Sequence, residues 1–246
     1  MNKMENALLI GMTRQMALRR EMSIIANNLA NINTNGFKAE QPIFEEYLSR
    51  NASEDSPDDT ISFVQDFGMH RDLREGRMEV TDNPLDIAIS GEGYFKVDAP
   101  EGTRFTRNGA FELDAQGRLV TGDGYPVLSA AGTGFTFGAE DGQILVSGDG
   151  TISTDQGTQG RLSLVTFEDE RKLQKAGGTL LKTDEPEIPV ANVSVLQGAV
   201  ESSNVQPILE MTHMISVMQA YQSANKIVDK ADELQRQAIS TLAKVN

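Results

Sequence analysis

Apolar residues recur at alternating intervals of four and three along the first part of the chain: Met4, Leu8, Gly11, Gln15, Leu18, Met22, Ile25, Leu29 and Ile32, with Gly11 and Gln15 out of character. This spacing keeps one side of an α-helix apolar, as a coiled-coil seam requires. Two further rows, Ile10, Ala17 and Ile24, and Leu9, Met16 and Ala30, lie elsewhere around the same helix and leave Arg14, Arg19, Arg20 and Glu21 a narrow strip. A helix apolar over so much of its circumference needs cover from several sides.

The far end repeats the plan. Val217, Ala220, Ala224, Ile227, Ala231, Leu234, Ala238, Thr241 and Val245 form an alanine-rich seam suited to close packing, and a row through Met211, Met214, Met218, Tyr221, Val228, Ile239 and Leu242 widens it. The pattern predicts a helix that starts after Asn204, with Asn204 as cap and Pro207 tolerated in the first turn. Running to Val245, it would be about 60 Å long at roughly 1.5 Å per residue.

Between the helices the period changes to short β-rich runs, Leu85 to Ile89, Tyr94 to Val97, Arg118 to Val120 and Leu162 to Phe167, separated by glycine turns such as "SGEG", "RNGA", "DAQG" and "GDGYP". Many short strands at this spacing predict an antiparallel β-domain. The segment 51–60, "NASEDSPDDT", reads as loop. The expected fold is therefore α+β. Residues 1–36 and 199–246 are expected as the two long helices of an α-helical coiled-coil domain, 37–60 as a linker or loop, and 61–198 as one central antiparallel all-β domain.

Neither helix has a sequence neighbour against which to bury its seam, so each is expected to take the other. The cost of closing the long loop between them rises only logarithmically with its length. Even paired, each would keep an apolar flank. Copies of the same protein are the simplest cover, and a head-to-tail interface that does not close into a ring makes a filament.

The first helix ends in "NNLANINTNG", residues 27–36, where five asparagines crowd together. Asn favours helix ends and left-handed turns, and Asn35-Gly36 favours a tight reversal that would present Phe37 as an apolar anchor. So much amide, able both to donate and to accept, suits a surface that hydrogen-bonds neighbouring subunits and fixes their register. The simpler alternative is a helix stop that uses more Asn than it needs.

Net charge is −14 over 246 residues. Residues 1–50 hold six basic and five acidic side chains and residues 201–246 four and five, so the imbalance lies in 51–200. An acidic middle disfavours nucleic acid and anionic lipid as partners. There is no cysteine, which removes disulfides, thiolate metal sites and cysteine nucleophiles together. The opening residues lack the apolar core and cleavage site of a secretory signal, and no segment approaches the roughly 20 apolar residues of a membrane span.

His70 and His213 sit in no ligand spacing, and His213 suits a helix contact better. "GEGYF" and "GDGYP" make no phosphate-binding fingerprint. "SGDGTISTDQG" lacks the register of a calcium loop. Acidic pairs such as Asp58 and Asp59, or Glu140 and Asp141, lie in apparent loops rather than a cleft. No catalytic, metal or cofactor site is expected.

"ANNLANINTNGFKAE" resembles the N-terminal signature of the flagellar rod and hook family of bacterial axial proteins, and "VLQGAVESSNVQPILEMTHMISVMQAYQSANKIV" is similar to its C-terminal segment. "DNPLDIAISGEGYF" and "FTRNGAFELDAQGRLVTGDGYPVL" look like its β-domain motifs, so the match runs in order through nearly the whole chain. One departure is that the family often carries Thr-Thr or Ser-Thr before the Gly-Phe pair, whereas here Thr34 is followed by Asn35. The resemblance implies a structural subunit of the basal-body rod, not an enzyme. It also implies export through the flagellar type III apparatus without a cleaved signal, and polymerisation in the periplasm with copies of itself and homologous rod proteins. The surface assigned to assembly comprises Leu8, Leu18, Met22, Ile25, Asn27, Asn28, Leu29, Asn31, Ile32, Asn33, Asn35, Gly36 and Phe37 at one end. At the other it comprises Asn204, Val205, Met211, Met214, Val217, Met218, Tyr221, Ala224, Ile227, Ala231 and Leu234. Two rivals from other classes are a periplasmic ligand-binding module with a helical dimerisation region and an acidic hydrolase built on the carboxylates.

Overall fold

The computed structural model describes residues 3–50, 60–190 and 194–245. The chain divides into two units: one of residues 1–30, 40–72 and 206–246, the other of residues 31–39 and 73–205.

In the first unit, α1 (Lys3–Ala30) and α2 (Pro207–Val245) are the two helices that the heptad-like spacing predicts. They pack together and run antiparallel, since Gly11 of α1 lies beside Val228 while Glu21, further along, meets His213. The apparent flaw in the α1 seam has a purpose. A Cβ at Gly11 would stand 2.7 Å from Val228 Cγ2, closer than packed carbons approach, so glycine lets the helices close at this point. Ile25, Val217 and Ala224 are buried along the pair.

The expected linker holds instead a long strand, β1 (Glu40–Arg50), paired antiparallel with β2 (Thr60–Arg71). The register runs from Glu40 opposite Arg71 to Arg50 opposite Thr60, with an irregularity between Ile43 and Phe44. An ion pair of 3.4 Å between Arg71 and Glu40 closes its base. Both strands pack against α1. The tip, residues 51–59, where a loop is expected, lies outside the described residues.

The second unit is mainly β, with a 3₁₀ turn at Glu170–Lys172. Its largest sheet is antiparallel and six-stranded, in the order Gln174–Lys175, Leu180–Lys182, Gly102–Thr106, Tyr94–Ala99, Leu164–Thr166, Ile188–Pro189. Side chains alternate across a strand. Phe95, Val97, Leu164 and Leu180 therefore enter the main core with Phe111, Leu119, Val127 and Ile152. Their neighbours Tyr94, Phe105, Val165 and Leu181 enter a second core with Phe167 and Leu173 on the opposite face. Burial on both faces explains the near-continuous apolar runs in these strands. Among the described residues the unit has four smaller sheets: Met78–Val80 with Ala199–Glu201, Ile87–Ser90 with Ser194–Gln197, Phe111–Leu113 with Leu119–Thr121, and a three-stranded sheet of Leu145–Val146, Thr151–Thr154 and Gly157–Arg161.

The fold class needs correction. The overall α+β content stands, but a self-contained coiled-coil domain joined to a single all-β domain is not what forms. The two helices share their unit with the β1–β2 hairpin, and the remaining strands split among several sheets. The physical reason is the wide apolar surface of α1. The chain itself supplies part of the cover that the sequence reading assigns to other copies.

Candidate assembly surface and the buried charge latch

The asparagine-rich stretch is divided between two tasks. Asn28, 1% exposed, spends its amide on its own chain: its Nδ2 donates to Glu40 O at 2.8 Å and its Oδ1 accepts from Glu40 N at 3.0 Å. The pairing imitates a strand partner and fixes the start of β1 beside α1. Past the helix, Thr34 N and Oγ1 donate to Asn31 O and Oδ1 at 3.2 and 3.1 Å, and Phe37 N donates to Thr34 O at 3.2 Å. Gly36 then turns the chain with φ of +69°, a conformation glycine adopts without strain.

Within the second unit this turn is locked to the strand Ala199–Glu201. Gly36 N donates to Glu201 O at 2.7 Å. Phe37, Ala39 and Val205 form a small core, with Ile32 packed against it, and Lys175 Nζ lies 4.9 Å above the Phe37 ring. Asn204, expected as the cap of α2, has another role. Its Oδ1 accepts from Ala39 N at 2.7 Å and its Nδ2 donates to Arg74 O at 2.9 Å. The helix nevertheless begins at Pro207, whose fixed φ and missing N–H suit a first turn.

At the centre is a charge cluster that the sequence reading missed. Glu201 Oε1 accepts from Lys38 Nζ at 2.6 Å and from Gly76 N at 2.9 Å, and its Oε2 accepts from Arg107 Nε at 2.6 Å. Side-chain exposure is 6% for Lys38, 1% for Glu201 and 6% for Arg107. Lys38 Nζ also donates to Arg74 O at 2.8 Å, and the rest of the Arg107 fork donates to the carbonyls of Gly91, Gly93 and Ile89. Burial pushes the Glu201 carboxyl up, but the charges of Arg107 and Lys38 and their hydrogen bonds outweigh it and hold the group below the ordinary glutamate range. Three distant stretches of chain are thus clasped at one carboxylate. The signal present in sequence is a lone charge inside an apolar run, Lys38 between Phe37 and Ala39, and Glu201 after Ala199-Val200. Nothing in one sequence pairs them.

The residues assigned to assembly fall into three groups. Ile25, Asn28, Gly36, Phe37, Val205, Val217 and Ala224 are buried in their own chain, and Leu18, Met22, Leu29, Asn31, Ile32, Asn35, Asn204, Met214, Tyr221 and Ala231 are half-buried. Asn27, Asn33, Met211, Met218, Ile227 and Leu234 are exposed. Leu8 lies in α1, its side chain outside the described residues. To the exposed group the structure adds Ile208, Leu209 and Ile215 on α2, and Met12 and Met16 on α1.

On α2 the exposed apolar residues follow a rule. Met214, Val217, Tyr221, Ala224 and Val228 make the seam that faces inward. At about 3.6 residues per turn, Ile208, Met211, Ile215 and Met218 form a stripe on one flank of that seam, and Leu209, Ile227 and Leu234 lie on the other. Ile208 is 79% exposed and Ile227 62%. Among the described residues no three His, Asp or Glu side chains gather as a metal site, and no helix is long and apolar enough to cross a membrane.

Comparison with known proteins bears on these surfaces. Residues 8–38 match the family described as flagella basal body rod protein, residues 88–158 the flagellar hook protein FlgE/F/G D1 domain, and residues 196–241 the flagellar basal body rod FlgEFG protein C-terminal region. The flagellar basal-body rod protein FlgF of Caulobacter vibrioides is 40% identical over 245 residues, covering 99% of this chain and 100% of that one. The chain belongs to the flagellar basal-body rod protein family. FlgF of Mesorhizobium japonicum is 32% identical over 97% of this chain and 98% of its own. A rod-family relative under another name, FlgG of Bacillus subtilis, is 30% identical over 96% and 99%. The N-terminal match ends at Lys38 and the C-terminal match takes in Glu201 and Asn204, so the latch and both helices lie largely inside the matched segments. Rod-family membership carries a structural role in the basal body, which the full-length FlgF relatives match best by name.

Proposed function

We propose that this rod-family chain is a structural subunit of the proximal rod that polymerises through the outward faces of α1 and α2, with copies of itself and with homologous rod proteins. One observation supports the reading above others. Seven large apolar residues of α2 are more than two-fifths exposed, from Met218 at 44% to Ile208 at 79%, while Val217 and Ala224 between them are buried. Stripes on both flanks of one seam suit a helix with a neighbour on each side. Two unlike flanks make a head-to-tail contact, which propagates where a self-complementary patch would stop at a dimer. Burying a Leu, Ile or Met side chain contributes about 1.5–3 kcal/mol, so the seven together are ample for a stiff junction able to transmit torque. Asn33, exposed just past α1, is placed to hydrogen-bond a neighbour. No chemistry is catalysed. Delivery runs through the flagellar type III apparatus to the periplasm.

The absence of cysteine gives a clean test. Single variants Met218→Cys and Val217→Cys are treated with a maleimide before and after incorporation into basal bodies. The proposal expects Met218→Cys to react in the free subunit and to be shielded in the rod, with Val217→Cys unreactive in both. Equal reactivity of Met218→Cys in both states would remove the α2 flank from the interface.

A further inference from the structure

The locked turn also has a chemical consequence. We propose that Asn35-Gly36 is a self-modification site, a latent deamidation site that the charge latch holds closed. In the reaction the Gly36 backbone nitrogen attacks the Asn35 side-chain carbonyl carbon. A C–N bond forms, the amide nitrogen leaves as ammonia, and the five-membered imide is opened by water to aspartate or isoaspartate. No oxidant or co-reactant beyond water is required. Of the five asparagines in 27–36, only Asn35 precedes glycine. The side chains of Leu29, Ile32 and Thr34 obstruct the same attack after Asn28, Asn31 and Asn33, whereas Gly36 offers no Cβ.

Three features of the folded chain hold the reaction back, and all belong to the latch. Gly36 N–H, the nucleophile once its proton leaves, is committed to Glu201 O at 2.7 Å. Gly36 is buried with no room to move: a Cβ there would stand 2.4 Å from the Arg107 carbonyl carbon and 2.5 Å from Asn108 N. Third, the Glu201 carboxylate also holds Lys38, two residues past Gly36, and Arg107, whose own carbonyl packs on Gly36, so loss of the ion cluster loosens both walls of the turn. Among the described residues nothing hydrogen-bonds the Asn35 side-chain amide, so its carbonyl carbon stands ready once the turn loosens. An isoaspartate product adds a methylene to the backbone, which displaces Gly36 into the space held by Arg107 and Asn108. A turn that carries isoaspartate therefore does not re-close, and either product marks irreversibly a molecule whose latch stays open.

The chain contains an internal control in its second Asn-Gly pair, Asn108-Gly109. Its Oδ1 accepts from Ala110 N at 3.0 Å, and a Cβ at Gly109 would stand 1.7 Å from Ile87 O. Asn108 follows Arg107 of the latch, but Gly109 is also packed on Ile87 O in the main core, so reaction at Asn108 requires the core strands to part as well as the latch, while Asn35 needs the latch alone.

The test uses the full-length protein at mildly alkaline pH. Peptide mass spectrometry follows the gain in mass when amide nitrogen is replaced by oxygen at each site over days. Both asparagines should react freely in concentrated urea and at least about 100-fold more slowly in native buffer, the ratio being the fraction of time each site is open. Glu201→Gln should raise the native rate at Asn35 at least about tenfold while Asn108 stays slow. Should Glu201→Gln unfold the unit, seen as fast reaction at Asn108, the decision passes to Lys38→Gln, which leaves the Arg107 pair in place. Reaction at Asn35 as fast in native buffer as in urea would overturn the proposal. So would a latch variant, folded by the Asn108 criterion, that leaves the Asn35 rate unchanged.

Discussion

Replacing Glu201 with Gln tests the energetics of the latch. The substitution keeps shape and one carbonyl oxygen but removes the charge that Lys38 and Arg107 share. Truncating one partner of a buried ion pair typically costs about 3–5 kcal/mol, because the other charges stay buried without compensation. Arg107 keeps three backbone carbonyls and a partly exposed Glu75 carboxylate at 3.6 Å, and Lys38 keeps Arg74 O. The expected loss is therefore at the low end, about 3 kcal/mol. The effect depends on pH. A carboxyl held below its ordinary range in the native state stabilises fully above that range, and the contribution is lost as pH falls through the lowered native value. The gap between wild type and variant should thus be widest near neutrality and narrow in acid. Urea titration followed by tyrosine fluorescence measures it, since the chain has four tyrosines and no tryptophan, and Tyr94 and Tyr125 belong to the β-unit. A loss below about 0.5 kcal/mol, the range of surface substitutions, or a gap that ignores pH, would refute the reasoning.

Other residues give independent tests. Gly11→Val should destabilise the helical unit by about 1–3 kcal/mol through overpacking against Val228, and Val228→Ala in the same chain should recover most of that, as thermal circular dichroism of the double-mutant cycle would show. Asn28→Ala should cost about 1–3 kcal/mol, because it leaves the Glu40 backbone groups unsatisfied, and should expose the hairpin to limited proteolysis. Asn33→Ala, at an exposed position, should stay within about 0.5 kcal/mol of wild type. Ser replacements at Met211, Ile215 and Met218 together should lower the monomer's unfolding midpoint only modestly, since these residues are 44–56% exposed in the single chain.

What the sequence disclosed follows the range of each signal. Both helices were legible because a period of about 3.6 is local and repeats over many turns, and so was the start of α2, since Pro207 announces itself without any partner. The strands near Tyr94, Leu119 and Leu164 were legible because short runs of β-branched and aromatic residues between glycine turns are also a local signal. The hairpin was not. Glu40–Arg50 is interrupted by Pro42 and rich in glutamate, and its role as cover for α1 depends on a pairing with Thr60–Arg71 that no local pattern encodes. Asn28 is expected to bond neighbouring subunits, but its partner is the backbone of its own chain. Lys38, Arg107 and Glu201 lie 69, 94 and 163 positions apart, and a charge reads as solvent-facing until the opposite charges beside it are known.

The central claim is that the apolar flanks of α2 exist for neighbouring subunits. Its most direct measurement is the amount of an Ile215→Asp, Met218→Asp variant in purified basal bodies, expressed in place of the wild-type chain and compared with the amount exported. The account predicts a folded subunit that is exported at a normal level, is missing from the rod, and leaves cells unable to swim. Incorporation at the wild-type level with normal swimming would contradict it.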